Sequence, residues 1–441
     1  MILNKKNIGK LLFYEFLFIL FFLVIIQIFH LPSYISYGID IVNIFVLLYM
    51  VANRNTMFRI CSNHLNSIFI SVMVLWGACF FTAVINQVSP LLFIWSTRNS
   101  FRFFVPFFAI IIYWQRKDLI RLIKILNVLQ VVNFLLILVQ FFLLDYSQDQ
   151  LGGIFGNEVG CNGYLNIFLC VTVPLVLELY LHGKVKLWYL FYTIFSWMII
   201  AAMAELKVAF LELAFIVFLS IVLSRPSKKT VCILVASIMG LVIGINVIII
   251  VFPSWARAFA DVGALIKIGK ETGGGYNISR TTAFSDINKL FFKNSIIKNI
   301  FGYGFGSCEY SSFDFFLSAF YKEYGYLNYR WFSHQMWFLQ CGYSGIVAYL
   351  FLFLTIFIWF WRMKNRIGDD YGLANYGEIL VALCVVNGIY NATLITEIGY
   401  IAFICLTIPF LYYKCERFEN DTSQLIGKEL KQAMYCKKKS I

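Results

Sequence analysis

The sequence predicts an all-α, polytopic integral membrane protein with about 12 transmembrane helices and one large outer loop. Three observations predict it. Hydrophobic residues make up 61% of the 441 positions and charged residues only 13%, about half the share in a soluble globular chain. The apolar residues form runs near the ~20 residues that cross ~30 Å of hydrocarbon as a helix. The basic residues fall on every second connection between those runs. A soluble core cannot absorb this much apolar surface, so soluble, disordered and disulfide-scaffold classes are excluded. A net charge of +13 would suit nucleic acid in a soluble protein. Here it follows the cytoplasmic excess of Lys and Arg at membrane helix ends, and no nucleic-acid partner is expected. The 11 cysteines lie mostly inside apolar runs, as do Cys79, Cys170, Cys232, Cys384 and Cys405, and show no metal spacing.

The runs cover 11–29, 34–51, 66–86, 94–114, 122–144, 159–181, 187–204, 207–224, 231–252, 337–361, 374–391 and 394–413. The first is read as a span and not as a cleaved signal peptide. Its apolar stretch is too long, and no small-x-small site follows it in HLPSYISYGID. The fourth contains Arg98 and Arg102. Lys5, Lys6 and Lys10 precede the first run, and the later basic connections hold Arg54 and Arg59, then Arg116 and Lys117, Lys184 and Lys186, Arg225 and Lys228, and Arg362 and Lys364. The alternate connections near 30–33, 87–90, 145–158 and 392–393 contain neither Lys nor Arg. This alternation places both termini in the cytoplasm. Residues 1–441 are read as one polytopic domain, with 253–336 as the outer loop and 414–441 as a basic cytoplasmic tail. A loop that long in a compact bundle is expected to carry function. Within it, Phe284, Ile287, Phe291 and Ile300 recur at roughly helical spacing, predicting a short amphipathic helix on the membrane surface.

Ionisable groups inside spans are costly, about 2.5–3.5 kcal/mol for a central Lys, Arg or Asp on insertion scales. They are therefore the first candidates for function. Arg98 and Arg102 stand four apart and share a helix face; they either snorkel to the outer headgroups or grip one anion. Lys207 opens the eighth run from the outer side in AELKVAF, as an interface anchor. Glu212 lies deeper, as a buried partner for a cation, while Asp40 and Glu397 have no assigned role. His30, His64 and His182 lie in short loops. His334 ends the outer loop in NYRWFSHQMWF, either as part of an aromatic belt or as an imidazole that accepts a proton from a sugar hydroxyl. The rings between Tyr310 and Phe332 suit an interfacial belt, some of them stacking on sugar faces. FGYGFGS, with Gly302, Gly304 and Gly306, lacks the Lys–Ser/Thr pair of a nucleotide-binding loop.

Over about residues 150–350 these features resemble the bacterial O-antigen polymerase and O-antigen ligase family of membrane glycosyltransferases. The resemblance rests on LGGIFGNEVGCNGYL, the basic residue of AELKVAF, Ser279-Arg280 in the outer loop, FGYGFG, and His334 followed by Gly342 and Gly345. The chain departs from the family pattern with Lys at 207, Phe at 284 and Gln at 335, where Arg, Trp and Asn are frequent. The resemblance implies an enzyme of the polymerase branch in a bacterial plasma membrane, building O-antigen or capsular polysaccharide. It would transfer a glycan from a polyprenyl-pyrophosphate donor to a lipid-linked repeat unit at the outer face. Ligase-type transfer to a final acceptor, or a lipid-linked sugar flippase, are the alternatives. Lys207, Arg280, Arg102 and Arg98 would bind pyrophosphate, and Arg280 and His334 would catalyse inverting transfer without metal or cofactor. Partners would be lipid-linked oligosaccharides, membrane lipids, a chain-length regulator and a flippase.

Overall fold

The computed structural model describes residues 5–53, 56, 65–225, 227, 230–231, 277–367 and 371–414. Among these residues every regular element is helical. The chain runs through α1 (Lys5–Ile28), α2 (Tyr37–Ala52), α3 (Asn66–Ile85), α4 (Pro90–Phe101), α5 (Phe104–Tyr113), α6 (Arg116–Phe142), α7 (Asn162–Leu181), α8 (Leu187–Met203) and α9 (Lys207–Leu223). Then come α10 (Ala283–Ile287), α11 (Ile296–Phe301), α12 (Ala319–Tyr324), α13 (Ser333–Ile367), α14 (Gly372–Tyr390) and α15 (Gly399–Cys405). Seven helices among the described residues are long and apolar enough to cross a membrane, which marks a membrane-embedded protein. The ninth run past Val231, the loop segment 253–276 and the tail past Lys414 lie outside the described residues.

Local sequence sets the ends of these helices. Pro90 opens α4, where its missing N–H costs nothing. Gln115 and Asp118 form a reciprocal capping box that starts α6. α7 and α14 are buried along most of their length and occupy the centre of the bundle. α2, α3 and α6 turn Ile41, Leu48, Phe80, Phe81, Val128 and Leu135 outward, an apolar surface that suits hydrocarbon.

Polar side chains meet at two levels inside the bundle. Asn166 of α7 and Asn387 of α14 both donate to Glu212 Oε1 of α9, at 3.1 and 3.0 Å. Glu212 is thus held by amides where the sequence suggested a cation. At the other level, Lys364 Nζ donates to Glu378 Oε2 at 2.7 Å and to the Leu223 carbonyl at 3.4 Å, while Asn375 donates to Glu178 Oε2 at 3.2 Å. These contacts show that α9 and α14 run antiparallel, with Lys207 and Tyr390 at one end.

Two expectations are revised. The run 94–114 is two helices, broken at Arg102 and Phe103. Pro106 has no N–H to return to the Arg102 carbonyl, and the Arg102 side chain turns inward to Glu397. The amphipathic segment is also broken, because Lys293 and Asn294 adopt left-handed φ angles of 51° and 58°. Ile287, Phe291 and Phe292 pack with Leu327, Tyr329 and, from α13, Phe338 into a small separate core. Ile287 and Phe291 of the apolar periodicity therefore face inward, while Leu290, Ile296, Ile297 and Ile300 are left exposed.

α13 is two helices, 333–341 and 343–367, joined at Gly342 with φ 59° and ψ −154°. The break frees the carbonyls of the preceding turn. Tyr303 N–H donates to the Leu339 carbonyl at 2.9 Å and Gly304 N–H to that of Gln340 at 2.8 Å. FGYGFG is therefore the element that caps the broken helix. The crossing is tight. A Cβ on Gly342 would stand 2.5 Å from the Asn299 carbonyl oxygen, and one on Gly302 (φ +64°) 2.5 Å from the Gln340 carbonyl. No side chain fits at either place.

Candidate functional site

The half-helix 333–341 and the irregular stretch 277–280 build the site. The Ser333 N–H and Oγ both donate to the Asn391 carbonyl at the end of α14, at 3.0 and 2.9 Å. Gln335 Nε2 donates to the carbonyls of Ile278 and Ser279, at 3.1 and 3.3 Å. His334, between them, places Nε2 3.1 Å from the Arg280 carbonyl oxygen. A carbonyl only accepts, so Nε2 carries the hydrogen and the basic lone pair sits on Nδ1. Nδ1 is buried without a hydrogen bond, although the backbone of Gly388 and Ile389 approaches the ring.

The Arg280 guanidinium lies over two rings, 4.5 Å from the Phe332 centroid and 4.0 Å from that of Tyr390. Its Nε is buried without a partner. The rings orient the cation by its flat faces without neutralising it, which leaves its edge for an anion's oxygens. The geometry thus joins a ring-clamped guanidinium to an imidazole through one backbone hydrogen bond.

Lys207 is exposed at the first turn of α9, after Glu205 at φ 49°. It lies five residues from Glu212, and Asn391 lies four from Asn387. At 1.5 Å per residue both stand about 6–8 Å from the shared polar layer, on the same side. Lys207 is therefore at the same end of the bundle as Arg280 and His334. Arg98 and Arg102 diverge. Arg98 pairs with Asp40 and lies over the Tyr37 and Trp95 rings. Arg102 Nη1 donates to Glu397 Oε1 at 2.9 Å, with Phe103 and Tyr400 beside it. The four-residue spacing that suggested one shared anion instead serves two separate carboxylates, the two to which the sequence gave no role.

Sequence reasoning missed Phe332, Tyr390 and Asn391 as parts of the site. Tyr390 and Arg280 are 110 positions apart, and nothing in either neighbourhood pairs them. It also passed over His182. That imidazole hydrogen-bonds the Glu178 carbonyl at 2.9 Å, and a Cβ on Gly372 would stand 2.3 Å from its Nδ1. His182 therefore packs α7 against the start of α14.

Fold and site together define a polytopic helical membrane protein with a cation and an imidazole paired at one end of its bundle. Compared with protein-family models and with curated proteins, the chain matches none.

Proposed function

We propose that the protein polymerises lipid-linked oligosaccharide repeat units, transferring a glycan from a polyprenyl-pyrophosphate donor to a second lipid-linked unit. The reading takes the chain as 12 spans with both termini inside, 253–336 outside, and the site at the outer face of a bacterial plasma membrane. The observation that carries it is the Arg280–His334 pair: an uncompensated guanidinium beside an imidazole whose Nδ1 has no hydrogen-bond partner. Outside the cell no nucleotide sugar is supplied, so a donor must arrive activated on a lipid. His334 Nδ1 takes the proton of the attacking hydroxyl. That oxygen bonds to the anomeric carbon from the face opposite the pyrophosphate, and the carbon–oxygen bond to pyrophosphate breaks with inversion. Negative charge grows on the leaving pyrophosphate, so a fixed cation stabilises the transition state more than the ground state. Arg280 takes that role with bidentate geometry and Lys207 as a point charge. Arg98 and Arg102, balanced by Asp40 and Glu397, hold the neighbouring helices.

A lipid-linked sugar flippase is the second reading, favoured by the carboxylates of Glu15, Glu178 and Glu212 buried within apolar helices. Deleting the gene in its host separates the readings. Polymerisation predicts surface glycan of a single repeat, exported and still attached. Full-length polymer held on its carrier lipid means ligation, and single units trapped on the inner leaflet mean flipping; either result overturns the polymerase reading.

A further inference from the structure

Residues 288–301 hold three lysines and no acidic residue. Lys289 and Lys293 are exposed, and neither is ion-paired among the described residues. Lys298 places its Nζ 4.1 Å from the Tyr303 ring centroid. Beside them α11 turns Ile296, Ile297 and Ile300 outward, with Ile296 76% and Ile297 65% exposed. At i, i+1 and i+4 they share one side of the helix. Large aliphatic side chains grouped in this way mark a contact surface.

The position of α11 identifies what covers that surface. Phe301 meets Phe81 of α3 edge-on, 5.6 Å between centroids, about one turn before α3 ends at Ile85. Phe81 and Val84 are themselves exposed, on the side that suits hydrocarbon. α11 also crosses α13 at Gly342, beyond which Tyr343 and Val347 are exposed. The isoleucines therefore continue the apolar surface of two membrane helices. From Gly342 to Arg362, where the basic end of α13 begins, the helix rises about 30 Å, the thickness of the hydrocarbon. α11 thus stands where hydrocarbon gives way to headgroups. A second copy docked through the same face would set lysine against lysine, whereas anionic headgroups neutralise the charge.

We infer that residues 288–301 form a foot resting on a membrane leaflet that carries anionic phospholipid, with Ile296, Ile297 and Ile300 among the uppermost acyl carbons and Lys289 and Lys293 on headgroup phosphates. This face is not the one that the apolar periodicity selects, since Ile287 and Phe291 are buried. The inner side of the foot packs Phe292 against Phe338, 5.3 Å between centroids, on the half-helix that carries His334. One layer of rings thus separates the leaflet from the site's helix, whatever reaction the site performs.

The test is hydrogen–deuterium exchange on the full chain, in nanodiscs of phosphatidylcholine alone and of phosphatidylcholine mixed equally with phosphatidylglycerol. Peptides covering 288–301 are expected to exchange about fivefold or more slower in the anionic disc, the scale of one lysine's attraction to such a surface. Peptides covering 87–95, at the same end of the bundle and without Lys or Arg, are expected to exchange alike in both discs. Lys289→Gln with Lys293→Gln is expected to abolish the difference. Ile296→Gln with Ile297→Gln, which keeps a good helix former at both positions, is expected to speed exchange of the segment in both discs. Equal exchange of 288–301 in the two discs, a difference that 87–95 shares, or one that survives both lysine changes overturns the inference. So does unchanged exchange in the glutamine variant of the isoleucines. Protection that ignores lipid charge and rises when two chains share a disc means that a second copy covers the face, and equally overturns it.

Discussion

Arg280→Ala is expected to lower polymer formation by about 10³-fold or more, the scale set by arginines that stabilise phosphoryl charge in transition states. Packing loss is separated from this effect by the amount of inserted protein. The contacts that Arg280 makes with Phe332 and Tyr390 are worth about 0.5–2 kcal/mol each and act on stability, whereas a 10³-fold loss of rate per inserted molecule is ~4 kcal/mol of transition-state stabilisation. Arg280→Lys is expected to recover little, because an ammonium neither spreads over both rings nor presents two parallel N–H groups to phosphate. Surface glycan length in a complemented deletion strain, normalised to membrane-inserted protein, measures both variants. Wild-type length distributions in Arg280→Ala would remove the cation from the mechanism.

His334→Ala is expected to cost about 10²–10⁴-fold, the usual contribution of a positioned general base. The Nε2–H bond to the Arg280 carbonyl also gives the ring a positioning role, so a simple loss of activity is ambiguous. The pH profile separates the two roles. As a base His334 works only when neutral, so the wild-type rate falls as the medium is acidified through the imidazole's titration. His334→Asn, which keeps a donor for the carbonyl, is expected to retain a small residual rate without that acid limb. His30→Asn is the matched control; His30 is exposed at φ 48°, a conformation asparagine tolerates. An unchanged acid limb in His334→Asn would assign the proton transfer elsewhere.

The helices were legible because hydrocarbon length and apolar composition are properties of contiguous sequence. The runs 66–86, 187–204 and 207–224 fall within a residue or so of α3, α8 and α9. Breaks were less legible, since a local signal such as Pro106 is completed by a distant partner at two of them. Arg102 leaves its run for Glu397, and Gly342 breaks α13 where Gly302 crosses it. The glycines of FGYGFG were noticed as a pattern, but their reason, close backbone approach, exists only in three dimensions. Arg280 and His334 were named as candidates from residue type, order and family likeness. Their contact through one carbonyl, and the rings that clamp Arg280, come from segments more than 50 positions apart in the chain.

Reconstitution tests glycosyl transfer at the Arg280–His334 pair most directly. Purified protein in liposomes is given only polyprenyl-pyrophosphate-linked repeat units, and the products are resolved by length. Polymerisation predicts a ladder of products with polyprenyl pyrophosphate released at each step, absent in Arg280→Ala and His334→Ala. Repeat units recovered unextended with the wild-type protein, or a ladder that persists in both variants, would contradict it.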